Sequence, residues 1–216
     1  IYNWGKAEMV DNLRELGIKV VVVKGPKSIA DVKENVKLIA KTLGEEDKGN
    51  LMIAKMDDKL AEIKEKVDNI KPERRKKLVL ISLMTAYGGK GCTFDDICKY
   101  AGVINGVSDA GLHNGQLLTK EMLVDINPDL LIMPVYNDHK TFDIEKYNKE
   151  FLEDPALKTL NAVKEKRFFY PREGYIYNSS QDIVFGVQEV ARAAYGSLFD
   201  QPENCHLSLI HISEPT

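Results

Sequence analysis

Two consecutive helices are predicted between residues 27 and 72 by the spacing of the apolar positions. Ser28 followed by Asp31 is typical of a capping box at a helix start, and Gly44 is typical of a helix end. The second helix has apolar residues at steps of three and four: Met52, Met56, Leu60, Ile63, Val67 and Ile70. Since a helix of about 20 residues spans about 30 Å, we expect this segment to connect two structural units.

Strand and helix patterns alternate on both sides of this connector. Before it, the β-branched run from Ile18 to Val23 is typical of a strand buried on both faces, and it follows a short helix. Residues 1–26 are therefore predicted to form a strand-helix-strand unit. After the connector, strands are predicted to begin at Lys77, Leu130 and Arg167, and helices at Thr93, Thr119, Tyr147 and Ser180. This alternation predicts an α/β fold with a parallel sheet and flanking helices over residues 73–200.

Composition excludes several classes of function. The 216 residues are 44% hydrophobic, which is enough for a substantial core. The 30 basic and 33 acidic residues give a net charge of -3, without a basic stripe interleaved with aromatic residues, so no nucleic-acid partner is expected. No apolar run reaches about 18 residues, the length of a membrane-spanning helix. Cys92 and Cys98 flank a predicted helix start, which is poor geometry for a disulfide.

The order of these segments resembles the helical-backbone (class III) substrate-binding proteins of ABC importers for iron-siderophores, haem and corrinoids. The resemblance runs from Ile1 to about Leu198. It is carried by EMVDNLRELGIKVVVV at 8–23, TFDDICKYAG at 93–102, LTKEMLVDINPDLLIMP at 118–134 and NAVK at 161–164. It implies two Rossmann-like lobes held by a stiff interlobe helix. We expect residues 73–200 to form the C-terminal lobe and residues 1–26 to be the remnant of an N-terminal lobe that is mostly absent.

The resemblance implies capture of a ligand and no catalysis. The expected function is that of a substrate-binding protein that takes up a ferric siderophore, or alternatively haem or a corrinoid, and delivers it to a membrane permease. The expected location is the periplasmic or extracellular face of the membrane, with a lipid anchor in the full-length protein. No resident cofactor or metal is expected.

Predicted ligand contacts lie on loops that follow strands, because ligands of parallel α/β folds bind beyond the carboxyl ends of the strands. They are Trp4, Tyr87, Lys90, Tyr136, Asn137, Arg172, Tyr175 and Tyr177. The resemblance adds His113 and Asn114, in the loop before the helix at Thr119, because they fall where the family faces its ligand. Flat rings and cations suit a bulky chelate with an apolar body and an anionic rim. Any one of these tyrosines could instead be a packing or surface residue. By its position before the Asn-Pro-Asp turn, Glu121 matches the carboxylate with which this family docks on its permease, although an acidic residue also suits the first turn of a helix.

Two alternative functions and one question of assembly stay open at this point. Thiol chemistry is conceivable at Cys92 because a helix start can lower a thiol pKa, although no Ser-His-Asp spacing or HExxH motif supports an enzyme. A receptor for bare Zn²⁺ or Mn²⁺ would need converging ligands, whereas His113 and His139 lie far apart. A chain without most of one lobe would expose core surface, so we expect self-association.

The final stretch, residues 201–216, has no periodic pattern. It is either a native tail or sequence foreign to the domain, and it is left out of the predicted fold. Its two histidines, His206 and His211, therefore carry little weight as ligands.

Overall fold

A computed structural model describes residues 7–82, 87–135, 142–177, 179–202 and 205–208. The helices are α1 (Ala7–Glu15), α2 (Ile29–Leu43), α3 (Glu46–Asp68), α4 (Thr93–Tyr100), α5 (Gly106–Asp109), α6 (Lys120–Ile126), α7 (Ile144–Glu153), α8 (Asn161–Lys164), α9 (Glu173–Ile176) and α10 (Ile183–Tyr195). The strands are β1 (Lys77–Leu80), β2 (Ile104–Asn105), β3 (Leu130–Ile132) and β4 (Phe168–Phe169). Short 3-10 segments lie at Pro72–Arg74, Leu157–Thr159 and Gly196–Phe199.

The four strands form one parallel sheet in the order β2-β1-β3-β4. Leu78 and Ile132 point into a core shared with α2, α3, α4, α9 and α10. Val79 and Leu131 point to the opposite face, into a core shared with α5, α6 and α8. All four of these side chains are fully buried. The predicted parallel sheet with helices on both faces is therefore confirmed.

The two helices predicted in the connector segment are present as α2 and α3. The Ser28 hydroxyl accepts a hydrogen bond from the Asp31 backbone N–H at 3.1 Å, and the Asp31 carboxylate accepts from the Lys27 N–H at 2.9 Å. At the start of α2, the Ile29 N–H donates to the Asp96 carboxylate of α4 at 2.8 Å. The connector is thus hydrogen-bonded directly to the helical layer that covers the sheet.

The two connector helices differ in how well their apolar faces were predicted. In α3, Met56 and Ile63 are fully or almost fully buried, as the spacing predicts. In α2, the start is buried, but Ile39 is 45% exposed and Leu43 is 70% exposed. The spacing of Val32, Val36, Ile39 and Leu43 predicts one apolar face on α2, and this face is exposed at Ile39 and Leu43. The later turns still lie against α3, but through Ala40, which is buried and which a Cβ at Gly49 would meet.

The predicted strand from Ile18 to Val23 is also wrong. Within this run Val23 forms an isolated bridge, and Ile18 is 48% exposed. A β-branched run becomes a strand only where a neighbouring strand supplies hydrogen bonds and packing, and none of the described strands lies beside it. The residue preference is present in this run, but the partner strand is not among the described residues.

Residues 147–164 are predicted to be helical with a break near Pro155, and this break is confirmed, since the segment is divided there into α7, the 3-10 turn and α8. Strand β2 and helices α5 and α9 were not predicted, because elements of two to four residues are too short to show a period.

The last described residues pack on the sheet domain although no pattern predicted it. The Tyr175 hydroxyl donates to the Cys205 carbonyl at 2.7 Å, and the Leu207 N–H donates to the Asp182 carboxylate at 2.8 Å. His206 Nδ1 lies against the same carboxylate. His206 is thus hydrogen-bonded to a neighbouring side chain, while His211 lies outside the described residues.

Candidate ligand-binding site

Two loops at the carboxyl side of the sheet are joined into one rim. The Lys90 N–H donates to the Leu112 carbonyl at 2.9 Å, and the Asn114 N–H donates to the Lys90 carbonyl at 2.9 Å. This bridge sets Lys90 directly beside His113 and Asn114, and all three side chains are exposed. The structure therefore brings three of the predicted ligand contacts together.

Close approach of these loops depends on a glycine. A Cβ added at Gly89 would lie 2.6 Å from the carbonyl carbon of His113 and 2.8 Å from the backbone nitrogen of Asn114. Both neighbours are backbone atoms, which cannot move aside as the end of a flexible side chain can. The glycine-rich loop thus serves to pack two strand-end loops together, which is a different role from holding a nucleotide phosphate.

A buried polar group braces the loop from below. Asn105 Nδ2 donates to the Gly88 carbonyl at 2.8 Å and to the Asp95 carboxylate at 3.1 Å. Asp95 is only 3% exposed, and Lys99 Nζ lies 3.0 Å from it. Burial raises the pKa of Asp95, but hydrogen bonds from Lys99, Ser108 and Asn105 outweigh burial and leave the pKa below its ordinary value. The ionised carboxylate of Asp95 therefore fixes the Asn105 amide, and that amide holds the loop at Gly88.

Tyr87 and Tyr177 join the loops that follow β1 and β4. Their ring centroids are 5.8 Å apart. The Tyr87 hydroxyl lies 3.0 Å from Thr93 Oγ1 and donates to the Ile176 carbonyl at 3.5 Å. Burial raises the pKa of Tyr87 well above its ordinary value. The two rings thus lie together, and the hydroxyl of Tyr87 already has partners within the protein. The role of both tyrosines as ligand contacts stays a prediction.

Arg172 and Tyr175 are engaged elsewhere. Arg172 Nε lies 3.1 Å from the carboxylate of Glu189, which is fully buried in α10, and Arg172 Nη1 donates to the Pro202 carbonyl at 2.6 Å. The guanidinium also lies 5.8 Å from the centre of the Tyr175 ring, whose hydroxyl binds Cys205. In the described structure these side chains connect the loop after β4 to α10 and to the chain end. Their role as ligand contacts stays a prediction.

A groove that sequence reasoning missed opens beyond the carboxyl ends of β3 and β4. It has a volume of about 780 Å³ and is lined by Pro134, Val135, Phe142, Asp143, Ile144, Glu145, Asn148, Lys149 and Tyr170. Phe142 is 43% exposed and Tyr170 is 51% exposed. Asn148 Nδ2 donates to the Pro134 carbonyl at 3.1 Å, while Asn148 Oδ1 is buried with no hydrogen-bond donor in the described structure. Tyr170 could have been found from its position directly after a strand, but Asn148 lies within a helix and gave no signal.

The remaining predicted contacts, Trp4, Tyr136 and Asn137, lie outside the described residues, as does His139. Their assignment stays a prediction.

Glu121 is the second residue of α6, and its side chain is exposed. The Thr119 hydroxyl caps the helix by accepting from the Met122 N–H at 3.2 Å. The backbone N–H of Glu121 itself, and then the Thr119 hydroxyl, lower the pKa of Glu121 below its ordinary value. Lys120 forms an ion pair with Asp154. The structure thus presents an ionised, outward-facing carboxylate at this position.

Metal and thiol chemistry find little support among the described residues. No group of three or more His, Cys, Asp or Glu side chains in that part of the chain could hold a metal ion. Cys92 and Cys98 are buried free thiols, and burial raises the pKa of each.

Across the described residues, no helix is both long and apolar enough to cross a bilayer.

Comparison with known proteins identifies a curated relative of this chain. The uncharacterised ABC transporter substrate-binding lipoprotein YvrC of Bacillus subtilis (strain 168) is 24% identical over 201 residues, which is 90% of this chain and 60% of the relative. The chain therefore spans less than two thirds of that protein.

Two solved structures share the fold. The periplasmic haem-binding protein RhuT from Roseiflexus sp. RS-1, in its apo form, has a TM-score of 0.75 at 18% identity, over 88% of this chain and 72% of that one. The molybdate-binding protein MolA of Haemophilus influenzae has a TM-score of 0.72 at 16% identity, over 90% of this chain and 64% of that one. The family model described as periplasmic binding protein matches residues 2–173. On that match, which covers most of the sheet domain and its connector, this chain belongs to the periplasmic binding protein family.

Proposed function

We propose that this chain is the larger part of the substrate-binding component of an ABC importer, which captures a ferric siderophore or a related metal chelate and delivers it to a membrane permease. Haem or a corrinoid is the alternative cargo. The observation that carries the proposal is the bridged rim at Lys90, His113 and Asn114, on the side of the sheet where the strands end, which is the side on which parallel α/β sheets generally bind ligands.

The chemistry of this edge suits a bulky chelate. Lys90 supplies a cation and Asn114 a hydrogen-bonding amide on one side, and the half-exposed rings of Phe142 and Tyr170 border the groove on the other. Aromatic surfaces bind the apolar body of such a ligand, and cations bind its anionic rim. The cargo of the structural neighbours ranges from haem to molybdate, so fold alone does not select among ligands.

We also propose a location and a partner for the protein. Relatives in this family include a lipoprotein of an ABC transporter, which supports the outer face of the membrane as the location and a permease as the partner. Thiol catalysis is disfavoured because it requires a thiolate, whereas Cys92 donates to the Gly89 carbonyl at 3.1 Å and its pKa is raised.

Ligand binding can be tested with substitutions at the rim. In the full-length protein, Lys90→Ala and Tyr170→Ala should each weaken binding of the best of a panel of ferric siderophores, haemin and cyanocobalamin by about tenfold, the loss of one charge-assisted or aromatic contact. Tyr100→Ala, at a comparably exposed tyrosine on α4, is the matched control and should leave affinity unchanged. Equal affinity of all three variants would contradict the proposed rim.

Permease docking can be tested separately from ligand binding. Glu121→Arg should abolish uptake while ligand affinity stays at the wild-type value, because the exposed carboxylate is proposed to pair with arginines of the permease. Glu65→Arg makes the same charge change on an exposed position of α3 and should leave uptake intact. Normal uptake by Glu121→Arg would refute the docking assignment.

Self-association of this chain is a further part of the proposal. Leu16, just after α1, is 77% exposed, and Leu43 and Ile39 of α2 are 70% and 45% exposed, so a second copy could bury apolar surface at these positions. Light scattering should report a dimer or larger species, and Ile39→Lys with Leu43→Lys should shift it to monomer. A monodisperse wild-type monomer would count against this expectation.

A further inference from the structure

The opposite edge of the sheet, where the strands begin, is strongly basic. We define the amino edge as residues 71–77, 127–129 and 164–167, which lead into β1, β3 and β4 and include Lys77, the first residue of β1. These positions contain eight Lys or Arg and three Asp or Glu residues, a net charge of +5, although the whole chain carries -3. This edge therefore carries a local excess of positive charge.

Strand register explains why residues distant in sequence meet there. Leu78 pairs with Leu130, and Leu131 pairs with Phe168. Since neighbouring strands lie about 4.8 Å apart, the starts of β1 and β4 are about 10 Å apart across β3. The two basic segments therefore form one continuous surface, with Asp129 between them and its N–H bound to the Lys77 carbonyl at 2.8 Å.

Most of these cations have no ion-pair partner in the described structure. Lys77 pairs with Asp109 at 2.9 Å, and Arg167 pairs with Glu165. The exposed cations without an ion pair among the described residues are Lys71, Arg74, Arg75, Lys164 and Lys166. This surface is therefore available to an external anion.

Exposed apolar side chains flank the cations on the β2 side. The Ile104 N–H donates to the Lys76 carbonyl at 2.9 Å, so β2 starts beside the basic segment. Tyr195 at the end of α10 donates to the Gly102 carbonyl, which brings the end of α10 to the same edge. The exposed fractions are 39% for Tyr100, 37% for Ile104 and 55% for Leu198.

We propose that the amino edge binds the surface of a membrane rich in anionic phospholipid. Phosphate groups could come from a free ion or a lipid headgroup, but cations combined with exposed aromatic and aliphatic side chains match a lipid interface, where both kinds of contact stabilise binding. Ligands bind at the carboxyl ends of the strands, so a chain bound through its amino edge keeps the ligand rim turned toward solution. This is a loading orientation, and transfer to a permease would follow release from the membrane surface.

The test is sedimentation of the chain with phosphatidylcholine vesicles that contain or lack phosphatidylglycerol, at low and high salt. Binding should require phosphatidylglycerol and should weaken with salt. Arg74→Gln with Arg75→Gln should reduce the partition coefficient about thirtyfold, as expected for the loss of two cations near an anionic surface. Lys37→Gln with Lys41→Gln removes the same charge from exposed positions of α2 and should change binding less than twofold.

Two further measurements distinguish binding to a lipid surface from binding of free phosphate and from a folding defect. Lys164→Gln with Lys166→Gln should weaken binding as the arginine pair does, which keeps the test intact if the first variant folds poorly. Inorganic phosphate at matched ionic strength should displace no more protein than chloride does. The proposal would be overturned if the chain bound equally well to vesicles without phosphatidylglycerol, if the α2 control variant lost as much binding as the arginine variant, or if phosphate displaced the chain specifically. None of these results bears on ligand capture.

Discussion

Substitution of Gly89 by alanine tests whether the bridged rim holds the site together. The new Cβ would lie 2.6 Å from the His113 carbonyl carbon, whereas ordinary contacts at such a carbon begin near 3.4 Å. The two loops would have to separate by most of an ångström, which would strain or break the two backbone hydrogen bonds between Lys90 and its partners Leu112 and Asn114.

The cost can be estimated from these contacts. Each backbone hydrogen bond contributes about 1 kcal/mol net, and overpacking costs about 1 to 3 kcal/mol. We expect Gly89→Ala to lower the free energy of unfolding by about 2 kcal/mol, which for a chain of this size lowers Tm by about 4 to 8 °C. Urea unfolding would measure the loss, and hydrogen exchange should show faster exchange of the Lys90 and Asn114 amides.

Gly25→Ala is the matched control, because a Cβ at Gly25 would meet no atom within 4 Å and its backbone is not left-handed. That variant should be neutral or slightly stabilising. The role assigned to Gly89 would be refuted if Gly89→Ala unfolded at the same urea concentration as Gly25→Ala and its Lys90 and Asn114 amides exchanged at the wild-type rate.

Three further predictions concern single side chains. Asp96→Ala removes the acceptor of the Ile29 N–H and should lower the free energy of unfolding by about 1.5 to 3 kcal/mol in urea titrations, and an unchanged midpoint would argue against the connector anchor. Because the folded pKa of Asp95 lies below its ordinary value of 3.8, its ionised form stabilises the fold above about pH 4, and this contribution is lost as pH falls through the folded pKa. The wild type should therefore lose more stability than Asp95→Asn between about pH 5 and pH 3, and parallel losses would contradict this role. Cys92 should react with a thiol reagent near neutral pH more slowly than free cysteine, because burial raises its pKa; a faster reaction would revive thiol chemistry.

Helix α3 shows what spacing can predict. Its apolar residues recur at steps of three and four, and Met56, Leu60, Ile63 and Val67 are all buried. The same rule failed at Leu43 in α2, because the period identifies the apolar face of a helix and cannot tell whether another element covers it. The run from Ile18 to Val23 failed for a related reason, since strand formation needs a neighbour that local sequence does not specify.

The part of the site that follows from the order of strands and helices along the chain was predictable from the sequence. Lys90 was expected at this edge because loops at the carboxyl ends of parallel strands share one edge of the sheet, whereas His113 and Asn114 were expected there only from the resemblance to the family. By contrast, the contact of Arg172 with Glu189 depends on how α10 lies against the loop after β4, and no local pattern encodes that geometry. Asn148 was missed for the same reason, since its place in the groove depends on where α7 crosses the end of β3.

The most direct test of the central claim is calorimetric titration of the full-length protein that contains this chain with ferric siderophores, haemin and cyanocobalamin. We predict that one of these chelates binds with one-to-one stoichiometry and that Lys90→Ala weakens it about tenfold. Absence of binding across the panel, or tight binding that the Lys90 variant leaves unchanged, would contradict capture of a chelate at this rim.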